Sequence, residues 1–132
     1  MATRTQARES VVGLLYAYDL GNENIAKFSD IILEDKKIRN KQKDFALSLF
    51  NGTIEKLAFV DKEIADHLKQ RDINDVGTVE KAILRLSIYE ILFGELDKPI
   101  IINEAVELSK RLASDNAPRF INGVLDSINK KK

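Results

Sequence analysis

Apolar residues recur with a helical step along almost all of this chain, and no alternating stretch long enough for a strand interrupts them. The densest run is 78–94, TVEKAILRLSIYEILFG. Ala82, Ile83, Leu84, Leu86, Ile88, Tyr89, Ile91, Leu92 and Phe93 fall on every side of a helix there. A helix apolar all round is buried on most of its circumference. Thr78 is the candidate N-cap, Glu80 and Lys81 extend the first turn, and Gly94 marks the stop. The run falls short of the roughly 20 residues a membrane span needs, and it contains two charges, Arg85 and Glu90. It is therefore predicted to be the central core helix of an all-α fold. Arg85 and Glu90 are each expected to snorkel to solvent or to pair across to another helix.

A first helix is predicted from a cap at Thr3 or Thr5 to about Asp19, where Gly21 ends it. Ala7, Val11, Leu14, Leu15 and Tyr18 make its inward face. A short second helix, 24–34, turns Ile25, Phe28 and Ile32 inward, and the charged stretch EDKKIRNKQKD begins as a surface loop. Helical periodicity then runs over 40–68 through Phe45, Leu49, Ile54, Leu57, Ile64 and Leu68. Asn51 and Gly52 inside it point to a close helix crossing or a kink. Asp61 could cap a fresh start, so both one helix and two are open here. After the polar connection 69–77 and the central helix, Asp97 and Pro99 open a helix with Ile102, Ala105, Val106, Ser109 and Leu112 inward. Pro118 opens a last one with Ile121, Val124, Leu125 and Ile128 inward, Gly123 allowing a close approach and the lysines at 130–132 frayed.

Composition narrows the function without naming it. Lys plus Arg equals Asp plus Glu at 21 each, so any nucleic-acid footprint must be local. Residues 109–132 carry such an excess in Lys110, Arg111, Arg119 and Lys130 to Lys132, against Asp115 and Asp126. There is no cysteine, which excludes disulfides and thiolate metal sites and suits a cytoplasmic protein, and no apolar leader segment is visible. No GxxxxGK[ST], GxGxxG or HExxH occurs. The single histidine, His67, leaves acid–base catalysis poorly supplied, and with Glu63 alone it makes no metal site. The residues thus describe a helical, non-catalytic binding module that needs no cofactor or metal. Its candidate contacts are Arg4, Arg8, Arg119 and Phe120. Arg4 and Arg8 lie one turn apart at a helix N-terminus, against the macrodipole, which points either to a solvated end or to another use. Phe120, beside Arg119, is either a stacking platform for a base or a core edge.

Four blocks then carry a resemblance: ARESVVGLLYAYDL at 7–20, VEKAILRLSIYEIL at 79–92, INEAVELSKRL at 102–112 and RFINGVLD at 119–126. In order and spacing they resemble the bacterial NusB family of transcription antitermination factors over nearly the whole chain. The resemblance implies about seven helices in two small packed bundles, a single domain over 1–132. It implies binding to boxA RNA jointly with the ribosomal protein NusE. Other Nus factors and RNA polymerase would be reached indirectly, to suppress termination, notably in ribosomal RNA operons. It implies no membrane, and it leaves monomer and homodimer open. Its RNA contacts fall on Arg4, Arg8, Arg119 and Phe120, and its protein contacts on Tyr16, Glu80 and Phe120. Tyr16 sits about 160° round the first helix from Tyr18, off the core face. Some relatives carry consecutive arginines where this chain has Thr5 and Gln6, so RNA binding without NusE is expected to be weak. Two alternatives stand beside this reading: an RNA-binding domain like that of ribosomal RNA cytosine methyltransferases, and a purely structural helical scaffold.

Overall fold

The structure is a computed structural model and describes residues 2–69 and 71–129, so the lysines at 130–132 lie outside the described residues. Seven α-helices follow in order: α1 (Arg4–Asp19), α2 (Ile25–Asp35), α3 (Lys41–Glu55), α4 (Leu57–Asp66), α5 (Thr78–Phe93), α6 (Lys98–Leu112) and α7 (Ala117–Ser127). One 3-10 turn, Ile73–Asp75, leads into α5, and no strand occurs among the described residues. The helices α1, α2 and α3 pack on one another, and α4, α6 and α7 gather round α5, which also touches α1 and α3. Every residue from Ala82 to Ile88 is buried, polar ones included, which makes α5 the core helix its sequence predicts.

Local sequence explains most boundaries. Thr3 caps α1 in a capping box: its hydroxyl accepts from the Gln6 N–H at 3.0 Å, and Gln6 Oε1 accepts from the Thr3 N–H at 2.9 Å. Gly21, at φ 101°, makes the turn after α1 that a residue with a Cβ would resist. The 36–40 loop holds Lys37 and Asn40 at positive φ (63° and 57°), and the buried Ile38 between them anchors it.

Four expectations are corrected. Thr78 is the first helical residue of α5, and Gly77 occupies the cap position. The 40–68 pattern is two helices broken at Lys56, not at Asp61, which lies inside α4. Phe28 faces out, 52% exposed, because α2 buries Ile25, Ser29 and Leu33 instead. Gly123 is exposed and nothing approaches it, whereas Gly52 is the true close crossing: a Cβ there would meet the Tyr89 ring.

The two charges on α5 both pair across helices. Arg85 donates to both Asp61 oxygens on α4 at 2.8 Å and to Asp19 at the end of α1 at 3.1 Å. Burial alone would lower its pKa; Asp61 and then Asp19 outweigh that, and it lies above the ordinary value. Glu90 takes up Arg8 on α1, described next.

Candidate nucleic-acid and partner interface

The start of α1 is where an arginine-rich contact was expected, and the chain uses most of it internally. Arg8 is 3% exposed. Its Nε and Nη2 donate to the two Glu90 oxygens at 2.9 Å, and its Nη1 donates to Glu104 on α6 at 3.0 Å. Thr5 donates its hydroxyl to the same Glu104 at 2.9 Å, and Gln6 is committed to the cap. Burial on its own would lower the Arg8 pKa; the hydrogen bonds and charge of Glu90, then of Glu104, more than offset this and raise it. The RNA role expected of Arg8 is therefore corrected. A guanidinium whose donors are spent on two carboxylates in the core cannot also hold a phosphate, so Arg8 ties α1 to α5 and α6.

Arg4, one turn earlier, is exposed and lies over the Phe45 ring of α3, 4.1 Å from its centroid. The aromatic face fixes the guanidinium plane while leaving its N–H edge to solvent. Phe45 was read as an inward residue; it packs against the core edge and carries Arg4 on its other side.

On α7, Arg119 is exposed and Phe120 is half-buried at the edge of the core. Arg71, from the connection before α5, stacks over the Phe120 ring at 4.5 Å. Sequence reasoning missed Arg71 because a loop has no periodicity linking it to a residue 49 positions on; only its charge beside an aromatic could have been a signal. The starts of α1 and α7 each carry an exposed arginine, Arg4 and Arg119. They have separate aromatic partners, Phe45 and Phe120, and each helix packs on α5 rather than substantially on the other.

Of the residues expected to face a protein, Tyr16 lines one cleft, Glu80 stands next to that cleft's Val79, and Phe120 borders a different cleft. Tyr16 is 38% exposed and lines a cleft of about 1110 Å³ with Gly13, the basic loop at Lys36 and Lys37, and Val79 of α5. Glu80 follows Val79 at the third position of α5, where its carboxylate bends back over Gly77. An acid in the first turn complements the helix N-terminus. Gln42 lines the same cleft, and its Oε1 is buried with no hydrogen-bond partner among the described residues, so it can accept from an incoming N–H.

Among the described residues, no cluster of three or more His, Asp or Glu could hold a metal, and no helix is long and apolar enough to cross a membrane.

Comparison with known proteins gives one consistent result. The model of the NusB family matches residues 5–130. A transcription antitermination protein NusB from Aliarcobacter butzleri is 71% identical over 128 residues, covering 97% of this chain and 98% of its own. Another from Sulfurovum sp. is 67% identical over 130 residues, covering 98% of this chain and all of its own. Among solved structures, a T. maritima NusB superposes with a TM-score of 0.86 at 29% identity over 95% of this chain and 89% of that one. A chain from a crystal structure of antitermination factors NusB and NusE with dsRNA superposes with a TM-score of 0.84 at 31% identity, covering 94% of this chain and 93% of that one. With a match running from Thr5 to beyond the end of α7, this chain belongs to the NusB family.

Proposed function

We infer that this chain is a transcription antitermination factor that binds RNA together with NusE. One observation carries the inference: the fold likeness, at 31% identity over 94% of this chain, to a chain of the crystal structure of antitermination factors NusB and NusE with dsRNA. The RNA element is boxA, and the protein acts by binding it rather than by catalysis, in the cytoplasm, with 1–132 serving as one RNA-binding unit. Arg4, Arg119 and Phe120 form the RNA-facing set, with Arg8 removed because it is buried in an ion pair. Tyr16, Glu80 and Phe120 face the protein partner. Free RNA affinity is low because Thr5 and Gln6 are bound internally and the chain has no net charge. Filter binding of boxA RNA to this protein, to NusE and to the mixture tests this. Tight retention is expected only with both proteins; a mixture that retains no more RNA than NusE alone overturns it.

A further inference from the structure

The stretch from Lys36 to Lys43, KKIRNKQK, holds five cations and no acid. It forms the loop between α2 and α3 and the first turn of α3. Two of the five are taken up locally. Arg39 donates to Glu34 at 2.9 Å, and Lys43 meets Asp30 and Glu34, each at 2.9 Å. Lys36, Lys37 and Lys41 are exposed and have no ion-pair partner among the described residues. Like charges held close together repel, so a fixed loop that gathers them calls for a reason. This loop is fixed: Ile38 is buried beneath it, and its N–H bonds to the Leu33 carbonyl at 2.8 Å. Lys37 holds φ at 63°, where glycine is the ordinary residue. A lysine there keeps its charge against the preference of the backbone.

The loop lies beside the start of α1. Lys36, Lys37 and Arg39 line the cleft of about 1110 Å³ together with Ala2 and Gln6. Lys36 reaches α1 itself, its Nζ 3.7 Å from where a Cβ at Gly13 would stand. Lys41 is one turn before Phe45 on the same face of α3, and Phe45 carries Arg4 at 4.1 Å. The acid lining the cleft, Glu9, is paired with Arg111, so this border is net positive. With Arg8 buried and Thr5 bound to Glu104, the loop brings to the α1 start positive charge that the α1 sequence does not supply.

We propose that the 36–41 loop is a track for the phosphate backbone of RNA flanking boxA, continuing the surface at Arg4. It carries no sequence preference: residues 36–43 include no aromatic ring to stack a base, and phosphate contacts position a nucleic acid without reading it. A protein occupant fits less well, because lysine is depleted from protein–protein contacts and is an ordinary phosphate partner. The inference rests on the reading that the chain binds RNA with NusE, and it adds Lys36, Lys37 and Lys41 to that surface.

The test is fluorescence anisotropy, with NusE present, of a labelled boxA oligonucleotide and of the same element extended on both sides by unstructured nucleotides. The proteins are the parent, the triple variant Lys36→Gln, Lys37→Gln, Lys41→Gln, and a control, Lys27→Gln, Lys62→Gln, Lys110→Gln, which removes the same charge from exposed positions on other helices. The parent should bind the extended RNA more tightly than the short one, whatever the flanking sequence. The loop variant should lose that advantage and bind the short RNA nearly as the parent does. On the extended RNA its slope of log affinity against log salt should be smaller by about 2, so about a fourfold rise in salt costs the parent roughly 16-fold more affinity than the variant. The control should keep the advantage; if it loses it equally, bulk charge is responsible and the track is overturned. A parent that binds both RNAs alike, or a loop variant that keeps the advantage, overturns it too. So does a loop variant that weakens NusE binding without RNA, which makes the loop a protein contact. If the parent with NusE binds neither RNA, the functional reading falls, and the track with it.

Discussion

Arg8 on α1 and Glu90 on α5 form a two-bonded ion pair, both bonds 2.9 Å, with side chains 4% and 6% exposed. Glu104 shares the same guanidinium and is itself met by Thr5. This places at the centre of the fold a residue whose sequence position, at the start of the first helix, suggests an RNA contact.

Removing one member of such a pair strands a buried charge. Arg8→Ala should therefore destabilise the protein by about 3–5 kcal/mol, measured as a fall in the urea midpoint. The double variant Arg8→Met, Glu90→Leu should recover much of that loss, because the one carboxylate it deprives of Arg8, Glu104, keeps the Thr5 hydroxyl and is 22% exposed. A raised arginine pKa contributes stability that is complete below the unfolded-state value and is lost only as pH climbs through the folded one, so mild alkali should leave the pair intact. If Arg8→Ala keeps its stability and loses RNA affinity instead, the burial argument is wrong.

Two interior helical glycines should respond in opposite ways. Gly123→Ala should stabilise by about 1 kcal/mol, since its Cβ meets nothing. Gly52→Ala should destabilise, since its Cβ meets the Tyr89 ring, which is itself packed on Phe93 at 5.4 Å. In a Tyr89→Ala background the same Gly52→Ala change should become favourable by about 1 kcal/mol. Thermal melts of the four proteins decide it; equal effects of Gly52→Ala in both backgrounds would show that Tyr89 is not the obstacle.

Tyr16→Asp and Glu80→Lys should weaken NusE binding without unfolding the protein. Tyr16 is exposed on the rim of the cleft that reaches Val79, and Glu80 stands one residue further on. Isothermal titration with NusE measures it. Unchanged affinity in both variants moves the partner surface elsewhere on the molecule.

Charge and stacking should separate in salt titrations of RNA binding. Arg4→Ala removes an exposed cation and should lower the salt slope by about 0.7. Phe120→Ala should cost about 1–3 kcal/mol with little change in slope, although it also frees Arg71 from its ring. A Phe120→Ala variant that folds and binds RNA and NusE like the parent would falsify the stacking role and leave Phe120 a core edge.

The sequence by itself determined the helices and the one at their centre. Ala82 to Ile91 are apolar on all sides, and periodicity alone assigns such a segment to the core, whatever packs around it. It also determined the family, through four blocks whose order and spacing cover the chain. Tertiary structure alone decided what the charged residues do. Arg4 and Arg8 are one turn apart and identical in type, and local sequence treats them alike. Arg8 meets Glu90, 82 residues on, and Glu104, 96 residues on, and is buried; Arg4 meets the Phe45 face and stays in water. Arg71 likewise becomes part of a candidate site only because the chain brings it over Phe120. Helical periodicity is a property of neighbours three and four apart, whereas an ion pair or a cation on a ring depends on which distant segment arrives opposite. The pattern of apolar positions could therefore place the core, and only the packed helices could tell a binding arginine from a structural one.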